Sequence, residues 1–142
     1  MDVNYLAILA AGVVNMIVGF LWYGPLFGKV WSMGMGWGGM SEAQIKELQK
    51  QAGPRYLQSF VTALIMYFVF AHVLKAFAMA MPDMTGVSAG IQGAIWMWLG
   101  FVVPVKYGEK LFGQRSMKVF LIDVGYYLVA IVAAGIILEL WK

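Results

Sequence analysis

Residues 117–140 read MKVFLIDVGYYLVAIVAAGIILEL. Between Asp123 and Glu139 the stretch carries no charge. A helix that crosses about 30 Å of hydrocarbon needs about 20 predominantly apolar residues, and this segment supplies them. Three more stretches have the same character. One runs from about Val3 to Tyr23 and stops at Gly24-Pro25. Another runs from about Tyr56 to Met79 and stops before Pro82. The third runs from about Val87 to Val105. The spans are therefore about 3–23, 56–79, 87–105 and 117–140, within one integral domain over 1–142.

Composition agrees. The apolar set is 62% of 142 residues, with 17 Gly besides, and only 12% are charged. Soluble domains carry about 25% charged residues. A fold this small leaves a large share of its residues at the surface, so as a soluble domain it would expose far too much apolar area. That excludes a soluble globular protein, and the apolar content excludes a disordered one. The expected architecture is an all-α bundle of four antiparallel transmembrane helices. Met1-Asp2 lacks the positive region of a signal peptide, so the first span is expected to be retained.

The net charge of +3 needs no nucleic-acid partner. Eight of the ten Lys and Arg sit in two loops: Lys29, Lys46, Lys50 and Arg55 in the first, and Lys106, Lys110, Arg115 and Lys118 in the third. Lys75 and Lys142 are the other two. Cytoplasmic loops carry the excess of Lys and Arg. The first and third loops are thus expected in the cytoplasm and both termini outside, in a cytoplasmic (inner) membrane. Tyr5 and Trp141 fall at the outer boundary, and Trp22, Tyr23, Trp31, Tyr56 and Tyr107 at the inner one. Within the first loop, Ser41-Glu42-Ala43-Gln44 has capping-box spacing. Ile45 and Leu48 then share a face among Lys46, Glu47 and Lys50, which predicts a short interfacial helix.

The two halves resemble each other. Tyr23-Gly24-Pro25-Leu26-Phe27-Gly28 after the first span matches Tyr107-Gly108-Glu109-Lys110-Leu111-Phe112-Gly113 after the third. The second and fourth spans align at one offset, Gly53 with Gly113, Arg55 with Arg115, Phe60 with Phe120 and Tyr67 with Tyr127. The pattern predicts two parallel-related hairpin repeats about an axis along the membrane normal.

Two motifs carry a family resemblance. Trp22-Tyr23-Gly24-Pro25-Leu26-Phe27-Gly28-Lys29 and Phe120-Leu121-Ile122-Asp123-Val124-Gly125-Tyr126 resemble the signature of the domain of unknown function 1761 family. The resemblance covers nearly the whole chain. It implies a small prokaryotic integral membrane protein and no particular activity. The family pattern often has His after the Gly-Tyr pair, where this chain has Tyr127. An Asp–His proton relay is therefore not expected here.

An ionisable residue inside a span needs a partner or a purpose. Asp123 lies about 6–9 Å inside the boundary at 1.5 Å per residue, with Tyr127 one turn deeper on the same face. It reads either as a proton- or cation-binding carboxylate or as an anchor for Trp22, Tyr23 or Lys106, and its shallow depth favours the anchor. His72 and Gln92 are expected at one level, as a titrating or ligand-contacting pair or as an interhelical hydrogen bond. Asn15, mid-span, reads as interhelical glue. Pro104 predicts a kink, since it strains the turn back to Gly100. Gly86, Gly90 and Ala94 form one close-packing strip, and Ala130, Ala134 and Gly135 another, within or between subunits.

Catalytic chemistry finds little support. With no Cys and one His, no nucleophile set or metal cage can be assembled. The Gly-rich run lacks the Lys-Ser or Lys-Thr of a phosphate loop. Met33, Met35 and Met40 are soft donors, but no His or Cys accompanies them in that loop. No cofactor, metal or enzymatic activity is expected. The leading expectation is an accessory or scaffold subunit, self-associating or joining a larger membrane complex, and the alternative is a small oligomeric proton-coupled transporter or channel. The packing strips and aromatic flanks such as Trp96 and Trp98 favour the first. The repeat, Asp123, His72 and Pro104 favour the second, although no continuous polar path is visible in the sequence.

Overall fold

The computed structural model describes residues 2–142, and all regular structure among them is helical. Helix α1 (Tyr5–Leu21) starts where Asn4 Oδ1 accepts from the amides of Leu6 (2.9 Å) and Ala7 (3.2 Å). It runs on through a π-turn, Trp22–Leu26. The wider turn accommodates Pro25, which has no N–H to continue an α-helical ladder. Two short helices follow, α2 (Gly28–Gly34) and α3 (Glu42–Lys50). The capping box of α3 forms as expected: the Ser41 amide donates to Gln44 Oε1 (2.9 Å) and the Gln44 amide to Ser41 Oγ (3.3 Å). Helix α4 (Ala52–Ala80) is 29 residues long and begins four residues before the expected Tyr56.

The third span is α5 (Gly86–Met97), a π-turn (Trp98–Val102) and α6 (Val103–Phe112) in one continuous run. It extends well past the expected end at Val105. Pro104 is the reason. It stands in the first turn of α6, directly after the π-turn, where a missing N–H costs little. The expected strain against Gly100 is thus absorbed by a change of helical pitch. Helix α7 (Met117–Leu140) begins with the Val119 amide donating to Ser116 Oγ (3.2 Å). Four helical runs, 22, 29, 27 and 24 residues long, are long and apolar enough to cross a membrane.

The four are not equivalent. Half of the most apolar stretch of α7 is buried inside the protein, against 28%, 28% and 22% for the other three. Helix α7 is the centre, packed most extensively on α5 and α1 and also touching α4. The α1–α7 pairing joins helices that are not neighbours in sequence. Both expected packing strips serve one contact inside the chain. Gly90 and Gly135 meet backbone to backbone, and a Cβ on either would run into the other's carbonyl. Ala94, Ala130 and Ala134 are buried beside them. Gly86 does not belong to the strip. It opens α5 at φ +63 with nothing within 4 Å of its Cβ position, so its role is the turn.

Ala7, Ile8, Ala11, Phe70, Ala71, Leu74, Ile131, Ala134 and Leu138 fill the end of the bundle that holds the termini. At the other end, which carries the two basic loops, the helices part and a cavity opens.

Candidate functional site

The site is built on three consecutive residues of α7. The Trp22 indole donates to the Ile122 carbonyl (2.8 Å), and the Trp98 indole donates to the Val124 carbonyl (2.7 Å). Between them, Asp123 Oδ1 accepts from the Tyr23 hydroxyl (2.7 Å) and the Trp31 indole (3.1 Å). Both π-turns begin at the tryptophans, so each change of pitch sets an indole against α7. Gly125 supplies the room. A Cβ there would stand 2.9 Å from the Trp22 ring. The motif around Trp22-Tyr23 and the motif around Asp123-Gly125 are 100 positions apart and fold onto each other.

Asp123 is 6% exposed, and its partners are neutral donors. Lys106 does not reach it. That ammonium pairs with Glu109 (2.8 Å), one turn along its own helix, and lies 5.6 Å over the Tyr127 ring. Trp22 also leaves the carboxylate alone and bonds backbone. Of the three donors expected for Asp123, only Tyr23 serves. Trp31, on α2, is the one missed. In the sequence it reads as a boundary aromatic, and nothing in its spacing says that α2 folds back over α7.

A cavity of about 410 Å³ opens beside Asp123. Its walls come from α1 (Asn15, Gly19), the π-turn after it (Tyr23), α2 (Trp31), α4 (Tyr56, Ser59), α6 (Lys106), α7 (Asp123, Tyr126, Tyr127) and the α6–α7 turn (Arg115). A smaller space of about 150 Å³ shares Asn15, Ser59, Tyr126 and Tyr127 and adds Thr62. Together they line polar groups up from the basic loops to the middle of the bundle, the path that was not visible in sequence. The inner end is closed by Tyr67, fully buried, whose hydroxyl donates to Asn15 Oδ1 (2.7 Å). Asn15 thus bridges α1 and α4, as expected of it. Tyr127 is a wall residue rather than a partner of Asp123.

His72 and Gln92 are not paired. His72 Nδ1 bonds the Phe68 carbonyl (2.8 Å), and Gln92 Nε2 donates to Ser88 Oγ (2.9 Å), each within its own helix. Helix α3 closes a second groove of about 490 Å³, where Ile45 and Leu48 face Trp31, Trp37 and Tyr56. Tyr23, Trp31 and Tyr56 line both spaces.

Residues 6–139 match the model of a family described as protein of unknown function (DUF1761). The chain belongs to this family. No curated protein and no solved structure matches it. The match takes in both motifs, so the contacts of Trp22, Tyr23, Asp123 and Gly125 lie inside the family region.

Proposed function

We propose that this family member is a small prokaryotic inner-membrane transporter that takes a polar solute into its cavity beside Asp123. In this reading the mouth of the cavity faces the cytoplasm and both termini lie outside, which the excess of Lys and Arg in the two loops supports. The observation that carries this reading is the cavity itself. It is polar on several walls, reaches the middle of the bundle and ends at the Asn15–Tyr67 bond. In small-molecule sites a few convergent polar groups fix the ligand within a mostly apolar pocket. Asp123 is the carboxylate on the cavity wall, and coupling to protons is part of the proposal. Opening to the far side requires the apolar contacts around Phe70, Leu74, Ile131 and Leu138 to part.

The halves contribute alike, which supports the repeat in an altered register. Trp22-Tyr23-Gly24 and Trp98-Leu99-Gly100 each open a π-turn and bond α7, so Trp22 corresponds to Trp98. The motif comparison instead pairs Tyr23 with Tyr107. Helix α3 is assigned to the membrane surface, with Ile45 and Leu48 inward.

The test works with a mixture of candidate solutes. Proteoliposomes are incubated with an isotope-labelled metabolite extract under an imposed proton gradient, and the retained contents are read by mass spectrometry. The wild type should concentrate at least one metabolite, and Asp123→Asn should fail to do so while keeping its melting temperature. Retention no better than protein-free liposomes contradicts the proposal. The accessory-subunit reading keeps one observation in its favour. Trp96, Leu99, Phe101 and Val105 of the third span are all more than half exposed, a ridge fit for a second copy or a foreign subunit. Native mass spectrometry from mild detergent would show that subunit.

A further inference from the structure

The walls of the cavity carry two charges that are not used on each other. Asp123 is held only by neutral donors, Tyr23 and Trp31. Arg115 is half-buried on the cavity wall, and the ion pairs among the described residues, Lys50–Glu47, Lys106–Glu109 and Lys142–Glu139, do not include it. Lys106, the other cation on the wall, is already paired with Glu109. Arg115 is held in place by the end of α6, where its amide donates to the Lys110 carbonyl (3.1 Å). The neighbouring Gln114 is the non-glycine residue with positive φ among the described residues, at +52. It is the left-handed residue with which many helices end, and it reverses the chain there. The turn brings the chain from the end of α6 back under the bundle and leaves Arg115 at the mouth. Asp123 stands about 9 Å further along α7 than Met117, at 1.5 Å per residue. The cavity therefore has a cation at its mouth and a carboxylate deeper in.

We infer that the ligand of this cavity is a small zwitterion of the amino-acid type. Its carboxylate meets Arg115 at the mouth and its ammonium meets Asp123 below. The wall suits that order. Tyr23, Trp31, Tyr126 and Tyr127 surround the deeper end, and aromatic faces attract an ammonium group. A bare anion would meet Asp123 unfavourably, and a bare cation would leave Arg115 without an acceptor. A volume of about 410 Å³ lies at the lower end of the range of small-molecule sites. The inference rests on the cavity invoked for transport but concerns binding alone, so the two can fail separately.

The test is titration calorimetry on the purified full chain in nanodiscs, with glycine, L-leucine and L-phenylalanine as probes. Each half of leucine is tested separately: 4-methylpentanoate keeps the carboxylate and 3-methylbutylamine keeps the ammonium. At least one amino acid should bind saturably, and for leucine both halves should bind at least about tenfold more weakly. Arg115→Gln should weaken the amino acid about tenfold or more while leaving 3-methylbutylamine unchanged. Asp123→Asn should show the converse. Arg115 is in none of those ion pairs, so Arg115→Gln remains informative if Asp123→Asn unfolds. Equal binding of 4-methylpentanoate and leucine would overturn the inference, as it leaves only an anion site. So would equal binding of 3-methylbutylamine, or no saturable heat from any of the three amino acids up to about 10 mM. Zwitterion binding without uptake in proteoliposomes would uphold this inference and remove transport.

Discussion

At the scale of the residue, Gly125 explains much of the second motif. It is a glycine because the Trp22 indole lies where its Cβ would be, at 2.9 Å. Gly125→Ala must push the indole off α7 and lengthen its bond to the Ile122 carbonyl. Overfilling a packed contact costs about 1–3 kcal/mol. The variant should melt several degrees lower in detergent, and a change in tryptophan emission should accompany the loss. An unchanged melting temperature and spectrum would mean that Trp22 does not rest there. Asp123 was legible in the sequence as an ionisable residue in a span, and Tyr23 as one of its donors. Trp31 and Arg115 were not. Each read as a boundary aromatic or a loop charge, and only the folding back of α2 and of the Gly113–Gln114 turn brings them to α7. Lys106 stood as one of three alternative partners of the carboxylate on depth alone, and a closer acid, Glu109, holds it instead.

At the scale of the element, small residues and helical pitch govern the packing. The close approach of α5 and α7 requires Gly at 90 and 135, since backbone meets backbone there. Gly90→Ala should cost about 3 kcal/mol by forcing the helices apart. Gly108, on α6, has nothing within 4 Å of its Cβ position. Gly108→Ala should therefore stabilise by about 0.5–1 kcal/mol, through helix propensity and chain entropy. Equilibrium unfolding in mixed micelles compares the two, and equal effects would contradict the α5–α7 contact. Spacing showed that Gly90, Ala94, Ala130 and Ala134 make close-packing strips, but spacing alone left open whether they face each other or another subunit. The π-turns were not legible in advance. Pro25 and Pro104 announced interruptions, and the bundle meets both by widening the helix rather than breaking it. That is why the third span continues to Phe112, past the end suggested by hydropathy.

At the scale of the whole molecule, the four spans and their antiparallel order were legible, because the length and charge of each segment are local properties. The central position of α7 and the cavity were not, because both depend on which helices part. The polar residues looked scattered over different depths. In the fold they form one column from Arg115 through Asp123, Ser59 and Asn15 to Tyr67. The central claim is that this column lines water open to the basic end of the bundle and closed at the other. The chain has no cysteine, so one can be introduced without background. Ser59→Cys puts a thiol where the two cavities meet, and Ile65→Cys puts one on the outward face of α4. The decisive measurement is labelling of these variants by a charged, membrane-impermeant maleimide in oriented vesicles. Ser59→Cys should label from the side of the basic loops and not from the side of the termini, with Ile65→Cys silent from both. A Ser59→Cys thiol silent from both sides would contradict the account.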